Sequence, residues 1–532
     1  MGIATEGGVW LLVGLLGIAI PLVAFARRIN VAYPIVLVAG GLVLGFIPGL
    51  PRIDFDPALV LVIFLPPLLF WESVNAPTDV MRANARWIAS LAIGLVLATS
   101  AVVAVVAHSV IATLAWPMAF VLGAIVAPTD ELASAPVLER MRIPRRLVAI
   151  VEGESLLNDA ASLIVYGSAV TAAVTGTFAP LPAVLHSVVS AIGGVALGIV
   201  CGWLAVFAYR RIVDTELQGI IAFVSPFFTY VLADRLGVSG VLAVVFMAVY
   251  GTRYTPVVIT PYARLRATGF WDSVVFLANA LLFLLVGLQL HELARIVHIE
   301  YSWPVILWYA FVVNASVVVT RFGWYMLLEY LPNAGEAAEY RAPNWRNAVV
   351  ACWSGLRGAV SLAAALAIPA SLAGGGHLPH RNLVIFLALS VILVTLVGGG
   401  LTLPLVIRRL KIPQSSGEDD AEMQRAHEAM VKAALSTLDE SERRGEINAD
   451  DAAALRRRYG LLHERLKGHD PDVTRRFAVE RKMIESKRRA LITAHAYGEI
   501  DNTIVRRLQL RLDLEYIGLP TNVPSPAESD LP

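Results

Sequence analysis

Gly123-Ala-Ile-Val-Ala-Pro-Thr-Asp-Glu-Leu132, followed twenty residues later by Glu152-Gly-Glu-Ser-Leu-Leu-Asn-Asp159, decides the reading of this chain. The two stretches set a proline and several carboxylates inside a sequence that is otherwise as apolar as lipid. Hydrophobic residues make up 57% of the 532 residues and charged residues only 16%, a composition that excludes an ordinary soluble protein. Inside a spanning helix each ionisable group costs about 2.5–3.5 kcal/mol on insertion scales, so such groups mark function by default.

Pro128 lacks an N–H and disfavours helix at Ala127, which predicts a helix broken at membrane depth. Unwound backbone there is tolerated only where it lines a cavity or is buried in protein. A plain proline kink with Thr129 capping the second half is the alternative, and it leaves Asp130 and Glu131 unexplained. In the second stretch, helical spacing stacks Ser155 on Asp159 and Glu154 on Asn158, giving two oxygen-bearing ledges. A hard monovalent cation needs several oxygen ligands with limited negative charge. Asp159, the Ser155 hydroxyl and freed carbonyls near Thr129 are the candidate metal-ligating set, with Asp130 and Asn158 beside them. Hydrogen-bonded glue between helices would also explain Ser155 and Asn158, but not a carboxylate.

Working outward, a hydrocarbon core of about 30 Å needs roughly 20 apolar helical residues, which predicts about thirteen spans before Lys411. Their limits are near 9–26, 31–49, 57–74, 87–110, 115–140, 147–173, 183–207, 218–234, 238–251, 269–290, 303–328, 347–373 and 382–408. Arginines cluster in alternate connections: Arg27 and Arg28, Arg82 and Arg86, Arg140 to Arg146, Arg210 and Arg211, Arg253 to Arg266, Arg341 and Arg346, then Arg408, Arg409 and Lys411. The intervening loops offer only Arg52, Arg235, Arg295 and Arg381. With basic residues held on the cytoplasmic side, the N-terminus lies outside and the C-terminus inside. The first apolar run has no basic residue before it and two after it, the reverse of a signal peptide.

Two domains follow: residues 1–410 in the membrane, and a cytoplasmic tail, 411–532. The tail is under a quarter of the chain but carries close to half of its charged side chains. Apolar residues at helical spacing (Ala434, Leu435 and Leu438; Leu461, Leu462 and Leu466) predict solvated helices, one starting near Asp450 and Asp451. The tail reads equally as a solvated appendage or as a regulatory or dimer-supporting element. Pro520 to Pro532 is expected to be disordered. Net charge near zero gives no sign of a nucleic-acid partner, so the bilayer is the partner expected. Cys201 and Cys352 read as small buried apolar residues. No cofactor motif occurs.

Ser354-Gly-Leu-Arg-Gly-Ala-Val-Ser361 puts Arg357 inside an apolar span, between glycines that let another backbone approach. No lysine precedes Lys411, so Arg357 and Arg321 are the cations available at depth. An arginine there needs a carboxylate, and Glu154 is the partner expected for Arg357. His108 and Asn279 read as structural hydrogen-bonders.

These residues resemble the monovalent cation:proton antiporter-1 family, the bacterial and animal sodium/proton exchangers, over roughly residues 10–410. The resemblance rests on Gly123 to Asp130, Glu152 to Asp159 and Gly355 to Ala359, each on its own span. It implies thirteen helices in two inverted repeats, broken helices crossing at the ion site, and a homodimer in the inner membrane. It assigns Asp159 to binding sodium or a proton, and Thr129, Asp130, Ser155 and Asn158 to lining or supporting the site. It assigns Glu154 and Arg357 to a structural pair, and links Asn158-Asp159 to one-for-one exchange. Two features depart from it: Glu131 stands where proline is usual, and Glu72 falls one position from an acidic position of relatives. The transported ligands expected are sodium, or potassium or lithium, and protons. An intramembrane hydrolase and a membrane sensor with an output tail are the rival classes. The chain shows no Ser-His or paired-aspartate arrangement for the first, and the tail has no catalytic or phosphate-binding motif for the second.

Overall fold

The computed structural model describes residues 6–29, 31–47, 57–131, 134–177, 180–212, 214–330, 345–372, 376–412, 418–457, 471–497, 508, 509, 512 and 515. It is all-helical. Among these residues no β-strand forms, and the two isolated bridges are Asp130–Leu356 and Ser371–His377. The chain divides into two units, Met1–Gln414 and Ser415–Pro532.

In the first unit α1 (Glu6–Arg28), α2 (Tyr33–Leu44), α3 (Pro57–Asn75) and α4 (Ala85–Val110) lead to α5 (Trp116–Val126) and α6 (Ala135–Arg140). After them come α7 (Arg145–Thr175), α8 (Pro180–Arg211), α9 (Thr215–Arg235), α10 (Gly240–Thr252), α11 (Pro261–Glu300) and α12 (Trp303–Tyr330). Then follow α13 (Trp345–Trp353), α14 (Ala359–Leu366) and α15 (Arg381–Leu410). Among the described residues, seven of these helices are long and apolar enough to cross a membrane, and four shorter ones are also apolar. Each of the thirteen expected segments coincides with one helix or with a broken pair, α5–α6 and α13–α14. Arg52 and Arg341 of the charge pattern, Leu461, Leu462 and Leu466 of the tail, and Pro520 to Pro532 lie outside the described residues.

The ends of α7 follow local rules. It begins directly after Pro144, and Gly176 closes it in the left-handed conformation that glycine adopts freely, its N–H returning to the Ala172 carbonyl. Between these ends the helix is buried on nearly every side from Gly153 to Ala160, as expected of a helix inside a bundle. Toward the C-terminal end of α7, Tyr166 and Ala169 join a large apolar core that also draws on α4, α5, α11, α14 and α15. A smaller cluster places Leu156 and Ala160 against Leu65 and Leu69 of α3 and Val241, Val244 and Val245 of α10.

In the second unit, α16 (Glu418–Arg443) carries one apolar face, with Val431 buried and Ala434, Leu435 and Leu438 half-buried. A helix at 449–457 starts where expected, capped by the Asn448 side chain, which accepts from the Asp451 N–H at 2.8 Å. Arg456 fastens it to α16 through Asp439 at 2.6 Å and Glu442 at 2.5 Å. α17 (Pro471–Ala496) follows.

Candidate ion site at two crossed helix breaks

α5 stops at Val126 because Pro128 removes a donor, and α13 stops at Trp353 beside a run with two glycines. The unwound segments cross, and the Asp130 N–H donates to the Leu356 carbonyl at 2.7 Å in an antiparallel bridge. Broken helices expose partial charges of roughly half an electron at each new end. Here each end meets a side chain of opposite sign. Arg357 Nε donates at 3.1 Å to the Val126 carbonyl, at the negative end of α5. Arg321 donates to the Cys352 and Ala351 carbonyls at 3.0 and 3.2 Å, at the negative end of α13. Asp130 Oδ2 accepts from the Ala359 N–H at 3.0 Å, at the positive end of α14. The glycines are needed for these approaches: a Cβ on Gly355 would strike the Arg321 guanidinium, and one on Gly358 the Asp130 carboxylate. A local π-helical turn at Thr395–Gly399 brings the Thr395 hydroxyl to within 3.3 Å of the Arg357 N–H that it accepts.

Thr129 is the centre of the polar network. Its hydroxyl donates to Glu154 Oε1 at 3.1 Å and accepts from Asn158 Nδ2 at 2.9 Å. Its carbonyl accepts from the Ser155 hydroxyl at 2.9 Å and from Asn158 Nδ2 at 3.3 Å. The two ledges of α7 therefore do face inward onto the broken segment, and Ser162 extends them by donating to the Ala124 carbonyl at 2.7 Å. Asp159 stands apart. It is buried, with 5% exposure, and its carboxylate has no hydrogen bond among the described residues. The charges acting on it come from Asp130 and Glu131. Glu72 of α3 feels the charges of Asp130, Glu131 and Asp159. Asn158 adds a buried Oδ1 without a partner. A group of acidic oxygens this poorly solvated is neutralised by a proton or attracts a compensating cation.

The expected Glu154–Arg357 pair is corrected. Glu154 is bound instead by Arg321 of α12, with Nη1–Oε1 at 2.5 Å and Nη2–Oε2 at 3.1 Å, the two side chains being 2% and 3% exposed. Tyr325, one turn from Arg321, donates to Glu154 Oε2 at 2.5 Å. Arg357 spends its guanidinium on the carbonyls of Val126 and, at 2.7 Å, Gly355. The reason is geometric: Arg357 sits in the unwound segment and follows the nearest exposed helix end, whereas Arg321 projects from an intact helix at the depth of Glu154. Tyr325 was missed, though its i, i+4 spacing from Arg321 is readable, and Glu72 was not counted. His108 has a structural setting, its Nδ1 2.7 Å from the Leu114 carbonyl and its ring stacked on Trp116.

Fold and site together define a multi-pass membrane protein with a carboxylate-rich polar network where two broken helices cross. Residues 13–409 match the family model described as sodium/hydrogen exchanger, transmembrane. The chain is 33% identical to an uncharacterized Na(+)/H(+) exchanger of Mycobacterium tuberculosis, with 96% of each covered. It is 31% identical to the sodium, potassium, lithium and rubidium/H(+) antiporter of Bacillus pumilus, over 84% of this chain and 68% of that one. Its fold is similar to that of the sodium proton antiporter MjNhaP1 from Methanocaldococcus jannaschii. The TM-score is 0.59 at 16% identity, over 76% of this chain and 98% of that chain. The chain belongs to the sodium/hydrogen exchanger family.

Proposed function

We propose that this protein is a secondary transporter exchanging sodium for protons by alternating access, with Asp159 the group that binds either one. The observation that carries the reading is the unpartnered Asp159 carboxylate, buried among acidic neighbours and beside the unwound Thr129. One titratable group that holds a cation or a proton, but not both, ties the movement of each to the other. The Ser155 hydroxyl donates to the Thr129 carbonyl and keeps its own lone pairs for a cation; Asn158 fixes Thr129 from the side through both the carbonyl and the hydroxyl of that residue. Asp130 is assigned to holding the crossing, and Glu154 with Arg321 to structural support.

The proposal extends to the setting. The arginine-rich loops face the cytoplasm, the protein works as a homodimer in the inner membrane, and its exchange serves pH and sodium homeostasis. No cofactor takes part. The Asn158-Asp159 pair favours one-for-one exchange. A wider cation range is favoured by the Bacillus pumilus relative, which is named as an antiporter of sodium, potassium, lithium and rubidium.

The test is flux in proteoliposomes with an imposed pH gradient, adding sodium, potassium and lithium chloride in turn. Sodium is expected to dissipate the gradient, at a rate unchanged when the membrane potential is clamped. No dissipation by any of these salts would end the exchange reading, and a steep voltage dependence would end the one-for-one stoichiometry.

A further inference from the structure

Seven residues beyond Asp159 on α7, with Ser162 between them, stands Tyr166; the i, i+3, i+7 spacing keeps all three on one stripe. At 1.5 Å rise per residue Tyr166 lies about 10 Å from Asp159, toward the end of α7 away from the Arg140–Arg146 loop. The surroundings change along this stripe. On the arginine-rich side, Glu131 and Glu152 are partly exposed, whereas Ser162 and Tyr166 are buried, and Tyr166 belongs to the main apolar core. The Ser162 hydroxyl is already committed to the Ala124 carbonyl. The Tyr166 hydroxyl is enclosed and has no hydrogen-bond partner among the described residues. Arg381 acts on it electrostatically while donating to the Ile368 carbonyl at 2.9 Å.

A buried hydroxyl without a partner is destabilising, and phenylalanine would fill the same space without that penalty. Such a group makes physical sense when a second conformation supplies the partner. We infer that Tyr166 is an ion-contacting residue on the far half of the ion route. When the site faces the side opposite the arginine-rich loops, the Tyr166 hydroxyl lends its oxygen to the hydrated monovalent cation passing between Asp159 and that side. A hydroxyl suits this task, because it ligates a cation without adding a second full charge that would hold it in place.

The inference rests on the exchange reading, and its test separates the two. Full-length wild type and Tyr166→Phe are reconstituted, and the sodium dependence of proton flux is measured from each face of the membrane separately, with thermal unfolding followed in detergent. The variant is expected to raise the apparent KM for sodium on the face opposite the arginine-rich loops about three- to tenfold, the worth of one hydrogen bond. On the other face KM should stay or fall, and the Tm should hold or rise. Wild-type KM values on both faces would overturn the inference. A lowered Tm with activity lost equally on both faces, or failure to assemble, would also overturn it, by making the hydroxyl a structural hydrogen-bonder. A wild-type protein that moves no protons in response to sodium would remove the exchange reading and this inference with it.

Discussion

Asp159 and Glu154 are five residues apart on one helix, both buried and both acidic, yet their settings are opposite. Glu154 accepts from Arg321, Tyr325 and Thr129, so its oxygens are occupied by the protein. Asp159 has no such partners, which leaves its charge available to a mobile ion. Asp159→Asn keeps the shape and removes the titratable charge, so exchange should fall to background in liposomes while the melting temperature holds. Activity near wild type would remove Asp159 from the mechanism. For Glu154 the expected effect is on stability. Breaking one side of a buried ion pair strands the other charge at about 3–5 kcal/mol, whereas removing both is often nearly neutral. Glu154→Gln and Arg321→Met should each lower the Tm, and the double variant should recover much of the loss. Arg357→Met, in contrast, should combine additively with Glu154→Gln in the same double-mutant cycle. The partner of Glu154 was not legible in the sequence, because two arginines at membrane depth satisfied the same electrostatic demand. Spacing along the chain carries no information on contacts 167 residues apart.

At the scale of elements, the two breaks form one structure. The first was legible from Pro128, whose missing N–H announces it. The second lacks a proline and reads only as a glycine-flanked span, so its position comes from the fold. The glycines were expected to admit a neighbouring backbone, and the Asp130–Leu356 bridge lies between them; they also admit the charged side chains of Arg321 and Asp130. Gly358→Ala should therefore push Asp130 off the Ala359 N–H, destabilising the protein by about 1–3 kcal/mol and slowing exchange. Gly251→Ala in α10 is the control, since a Cβ there meets nothing, and it should leave both Tm and flux unchanged or slightly improved. Equal behaviour of the two variants would show that the approach at Gly358 is not tight in solution. Glu72 shows a different limit: its place near Asp130 and Asp159 depends on how α3 lies in the bundle, which hydrophobic patterning does not specify.

Over the whole molecule, most of the architecture was legible because lipid imposes so strict a rule: backbone polar groups must be satisfied internally, and each crossing needs about 20 apolar residues. The thirteen segments follow from that demand alone. The tail obeys weaker rules, and its role did not follow from its helices. Ending the chain after Gln414, at the boundary between the two units, should leave exchange in place and shift its pH profile. Measured flux that is lost in a truncated protein with an unchanged Tm would instead make the tail part of the transport unit. The reciprocal latch between the breaks also bears on how the protein is made. The carbonyl of Val126 waits for Arg357, 231 residues further along the chain, and Asp130 waits for the Ala359 N–H, 229 residues away. Until the ribosome has delivered both, the first half of the protein sits in the membrane with an open helix end and with Asp130 lacking its bond to the Ala359 N–H. A nascent chain of this kind matures only when its last third arrives, which makes completion of synthesis, and not insertion of the first helices, the step at which quality control can tell a finished protein from an abandoned one.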